Sequence, residues 1–159
     1  MKFLENLFKK QVVYTDSMFV GEIGDLHRQL TELAVRIGKE SYGVKLNFTH
    51  SSISQVERIL DDIHQQYKKT GDTEGLTGIA LEFGFYIAAT IQKCTGTGVL
   101  KRDHPEFGEN SFPFFWNEST LFTYGWCEKR ILDGPGDDVI SKYKVLVLDE
   151  LNKDQQSAR

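Results

Sequence analysis

The sequence predicts an α+β fold, with helices packed around an apolar central helix and a small antiparallel hairpin in the second half. Three observations carry that expectation. Residues 76–94 form a helix-length run in which Glu82 is the one charge before Lys93. Two amphipathic helix patterns precede it, and two aromatic, β-favouring runs follow at residues 111–116 and 120–124. The 159 residues fit a single domain over 1–159, long enough to bury roughly two-thirds of the unfolded surface.

Along the chain, residues 1–10 place Phe3, Leu4, Leu7 and Phe8 at helical spacing beside lysines. They give an amphipathic segment that either grazes a membrane surface or folds back onto the domain. An extended connector is expected over residues 12–24, with Asp25 as the N-cap of a first helix. Leu26, Leu30, Leu33, Ala34 and Ile37 make its apolar stripe, Gly38 or Gly43 its end, and His27 sits at the boundary. Residues 44–48 alternate as a short strand or extended arm. Ser52 and Gln55 fit a capping box for a second helix, with Val56, Ile59, Leu60, Ile63 and Tyr67 inward. Glu57, Arg58, Asp61 and Asp62 are expected to point outward, and Lys68, Lys69 and Gly71 to close the helix.

After the polar break at residues 70–74 comes the central helix, apolar on nearly all sides, with Gly78, Gly84 and Ala88 leaving room for close approach. Glycines end it at residues 95–98, a strand follows at 99–102, and His104-Pro105 and Gly108 break a loop over 103–110. The aromatic runs form a hairpin around Asn117-Glu118-Ser119, and Pro113 predicts an edge or a bulge for the first run. A short helix at 126–132 stops at Asp133-Gly134-Pro135-Gly136. Asp137 or Asp138 then caps a last helix with Val139, Ile140, Tyr143, Val147 and Leu151 on one face, frayed from residue 152.

Net charge −4 and pI near 5.6 argue against a nucleic-acid partner and are compatible with a basic one. No apolar run reaches the ~20 residues that span a bilayer. Two cysteines, Cys94 and Cys127, make neither a disulfide framework nor a metal site, and read as reduced packing residues in a cytoplasmic protein. Familiar catalytic spacings fail. Gly96-Thr97-Gly98 lacks a third glycine, no histidine pair stands at i, i+4, and no serine sits in a nucleophile elbow. No metal and no cofactor is expected.

Three groups still invite chemistry. Glu82 reads as a general base or polar anchor in a pocket, or else as half of a salt bridge with Arg130 or Arg102 or as part of a solvent-facing stripe. Asp103 and His104 suggest an acid–base pair, or a turn ahead of Pro105. Trp116, Tyr124, Trp126, Cys127, Glu128, Lys129 and Arg130 read as interface anchors or as core. Cys127 near a helix start admits a lowered thiol pKa, without a histidine to make it a nucleophile.

Leu81-Glu82-Phe83-Gly84-Phe85-Tyr86-Ile87, Asp103-His104-Pro105, Leu121-Phe122 and Trp126-Cys127-Glu128-Lys129-Arg130-Ile131, then an acidic turn and Tyr143, run in that order. This pattern resembles an uncharacterised bacterial family of small α+β domains. The resemblance covers the second half of the chain. It implies a glycine-bearing central helix, a strand pair and a lysine-arginine helix, and brings no activity. Two functions are expected. One is a non-catalytic bacterial protein-interaction domain, such as an immunity or antitoxin-like protein that masks a toxin. The other is a small-molecule-binding domain or minor enzyme, its pocket between central helix and hairpin lined by Glu82, Asp103, His104, Trp116, Trp126 and Arg130.

Overall fold

The computed structural model describes residues 18–157. The segment 1–10 and residues 12–17 of the expected connector lie outside the described residues, and the rest of the connector turns at residues 21–23 rather than running extended into the helix. Helix α1 spans Gly24–Tyr42 and ends on Gly43 in the left-handed region. Asp25 does not cap it. Ile23 holds the cap position without a side-chain bond, and Asp25 lies in the first turn, paired with Arg28 at 2.8 Å. Residues 44–48 form no strand, and Phe48 turns the chain with a φ of 58°.

A 3₁₀ turn, His50–Ser52, feeds straight into α2, Ile53–Thr70. The expected capping box therefore does not form, because Ser52 is already helical in backbone and makes no cap bond. Its hydroxyl instead donates to the Thr49 carbonyl (2.6 Å) and meets the Tyr86 hydroxyl (2.7 Å). The apolar stripe of α2 is buried as its spacing predicts.

Helix α3, Leu76–Thr95, is the interior rod, with every residue from 82 to 92 buried. Helix α1 packs along it, where His27 Nε2 lies 3.0 Å from the Phe85 carbonyl. Helix α4, Thr123–Asp133, crosses it at Gly84, where an added Cβ would stand 2.5 Å from Tyr124 Cα. Only a residue without a side chain admits that approach.

Three short antiparallel strands follow α3: β1 Val99–Leu100, β2 Phe114–Trp116 and β3 Ser119–Leu121, in the order β1-β2-β3. Val99 pairs with Phe115, and Trp116 with Ser119 across a two-residue turn. Pro113 thus precedes the central strand, not an edge. Its missing N–H is tolerated because it stands just outside the ladder, where its carbonyl accepts from Lys101 N (2.9 Å). The second aromatic run is strand only as far as Leu121, and α4 begins at Thr123, three residues ahead of the expected start.

Helix α5, Val139–Tyr143, is capped by Asp138, whose Oδ1 accepts from Ser141 N (3.0 Å). A π-helical turn, Lys144–Leu148, joins it to α6, Asp149–Ser157. The C-terminal segment expected to fray is helical to Ser157. Val139, Tyr143 and Val147 are buried, whereas Ile140 stands exposed.

Candidate functional site

Among the described residues, neither cleft beside the sheet brings together the six residues named from the sequence. Glu82 is 1% exposed on α3, and one carboxylate oxygen has no hydrogen-bond partner. Neither arginine expected to pair with it does so. Arg130, 2% exposed, binds Glu57 through Nε and Asp61 through Nη2, both at 2.6 Å. Arg102 lies over the Phe112 ring at 5.9 Å. Burial without a counter-charge pushes the Glu82 carboxyl up to about 8, so it is held protonated at neutral pH.

Trp116 is buried and donates from Nε1 to Thr95 Oγ1 (3.2 Å), and Trp126 is buried as well. Both belong to the core. Cys127 is fully buried, and desolvation raises its thiol pKa rather than lowering it. Cys94, read as a packing residue, is exposed, and its thiol donates to the Phe48 carbonyl (3.3 Å). Glu57 is not an outward charge: besides binding Arg130 it accepts from Val139 N at 3.0 Å. His27 is not a boundary residue either. It is 1% exposed, and burial drives its pKa down to about 4.

Asp103 and His104 do not form an acid–base pair; they build a loop. Asp103 Oδ1 accepts from Asn110 N (2.9 Å), while His104 and Gly108 exchange backbone bonds of 3.0 and 2.9 Å. His104 Nδ1 accepts from Glu106 N (3.0 Å) and Phe107 N (3.3 Å), which places a ring proton on Nε2. Ser111 Oγ closes the loop onto the Gly108 carbonyl at 2.8 Å.

This loop carries the candidate site; the sequence marked Asp103 and His104 within it but none of its phenylalanines. Strand alternation buries Phe114 and Trp116 and turns Phe115 to the outer face of the sheet. There His104 stacks on Phe115, with centroids 6.0 Å apart and planes 10° from parallel. Phe107 packs against His104 and, edge-on, against Phe122, both at 4.9 Å. Lys101 Nζ lies 5.5 Å from the Phe115 centroid. The result is a four-ring cluster outside the main core, with Phe107 still 64% exposed at its tip. Period-two alternation in Phe114-Phe115-Trp116 was the available signal for an outward ring, but nothing local revealed that Phe107 would meet it.

The same end of the molecule concentrates unusual backbone. Asn110, Phe112, Asn117 and Glu118 have φ of 56°, 50°, 50° and 63°, and Phe48 alone among the other described non-glycine residues is positive. Clefts flank the sheet without uniting the predicted residues. One of about 260 Å³ includes Ile23, Leu100 and Asp103, and another of about 370 Å³ includes Val99, Trp116 and Glu118. Neither is lined by Glu82, Trp126 or Arg130. Among the described residues no cluster of histidine, cysteine or carboxylate is arranged to hold a metal. No helix there is long and apolar enough to cross a membrane. No family model, curated protein or solved structure matches the chain.

Proposed function

We propose that this chain is a non-catalytic protein-interaction domain, with the narrower role of an immunity-like protein that masks a toxin. The observation that carries the reading is Phe107, a large apolar ring 64% exposed on a loop braced by its own hydrogen bonds. A preformed loop loses little conformational freedom on binding, so an exposed aromatic at its tip makes an efficient anchor. Left-handed backbone at Asn110 and Phe112 supports the same location, while Asn117 and Glu118 take the positive φ that a two-residue hairpin turn requires. The residues best suited to acid–base chemistry are occupied elsewhere: Glu82 and His27 are sealed in helix packing, and His104 braces the loop.

Affinity-tagged full chain expressed in its native organism should bring down one protein in stoichiometric amount, as measured by quantitative mass spectrometry. Under the narrower reading that protein is toxic when expressed alone and harmless when co-expressed. Recovery of the tagged chain by itself, at native expression and gentle salt, would sink the reading.

A further inference from the structure

We propose that the partner is a protein with a basic surface, docking over Phe107 through an apolar pocket bordered by lysine and arginine. This rests on the interaction reading above and assigns it a place and a chemistry. Phe107 protrudes, so what covers it must be concave. Three carboxylates, Asp103, Glu106 and Glu109, stand exposed on the same loop within four residues of it. Two cations stand at the base of the loop, Lys101 over Phe115 and Arg102 over Phe112, and from residue 103 to 110 the loop carries three carboxylates and no lysine or arginine. The tip therefore presents an apolar knob set among negative charges.

Charge separates the possible occupants. Nucleic acid and anionic lipid surfaces would bring phosphates against the three carboxylates and be repelled. A second copy docked through this patch about a twofold axis would set Glu106 and Glu109 against their own equivalents, a like-charge contact that costs affinity. A basic protein surface gains from the same charges in both encounter rate and selectivity.

The test places a photo-crosslinking p-benzoylphenylalanine at position 107 of the full chain in its native cells. A matching variant carries it at Val145, which is 56% exposed on the π-helical turn. Position 107 should yield one heterologous adduct and position 145 none. With the purified pair, Phe107→Ser should weaken binding about 30-fold. Glu106→Lys combined with Glu109→Lys should weaken it about tenfold and flatten its salt dependence. Unchanged thermal melting of these loop variants separates lost docking from lost folding. An adduct at 145 and none at 107 overturns the surface while leaving the interaction reading intact. No heterologous adduct at either position overturns both. A self-adduct, or tighter binding after charge reversal, overturns the assigned chemistry.

Discussion

Gly84 and Gly78 lie on one helix yet answer to different constraints. A methyl at position 84 would meet Tyr124 Cα at 2.5 Å, Tyr124 N at 2.7 Å and Thr123 C at 3.0 Å, all backbone atoms that cannot rotate away. At position 78 nothing lies within 4 Å. Gly84→Ala should therefore force α3 and α4 apart and cost about 2–3 kcal/mol, the usual range for overpacking. Gly78→Ala should gain up to about 1 kcal/mol from helix propensity. Urea unfolding of the two variants checks both, and equal effects would contradict the close crossing. Sequence alone marked both glycines as places for close approach and had no means of ranking them. The same limit applies to His27, whose neighbour is a carbonyl 58 residues away.

Among elements, the junction of α2, α4 and α5 turns on Arg130. Its guanidinium holds Glu57 and Asp61, and Glu57 in turn satisfies the first N–H of α5 at Val139. Arg130→Met keeps the volume but leaves Glu57 partly buried without its counter-charge, and should cost about 3 kcal/mol. Asp61, half exposed, should contribute the smaller part of that loss. Adding Glu57→Gln to Arg130→Met should recover part of the stability. A double variant no better than the single one would refute the stranded-charge explanation. Helix spans were legible because α2 and α3 carry their spacing within themselves, and the left-handed glycines at 71 and 96 end them where expected. What escaped was set by distant partners. Ser52 answers to Tyr86 rather than to its own helix end, and Glu57 sits on a face that looked solvated until α4 and α5 covered it. The aromatic cluster escaped for the same reason, since it joins a loop, a strand and the residue ahead of α4.

For the whole molecule, two sealed titratable groups narrow the range of comfortable pH from opposite sides. Glu82 ionises near 4.5 when unfolded and near 8 when folded, so stability is fully present below 4.5 and falls as pH rises toward 8. At 1.36 kcal/mol per unit, the loss is on the order of 3 kcal/mol by about pH 7. His27 has the reverse sign. Its pKa drops from 6.5 to about 4 on folding, so stability is present above 6.5 and is lost as pH falls toward 4. Glu82→Gln should equal the wild type near pH 4 and exceed it by several kcal/mol at about pH 8, read from chemical denaturation midpoints. A constant offset across that range would show that Glu82 is charged in the native state. A last consequence concerns the rod at the centre. Residues 82–92 present no flank to solvent, so fraying or local opening of the outer helices leaves their backbone amides protected. Deuterium should enter that stretch last of all, at the pace set by complete unravelling of the chain.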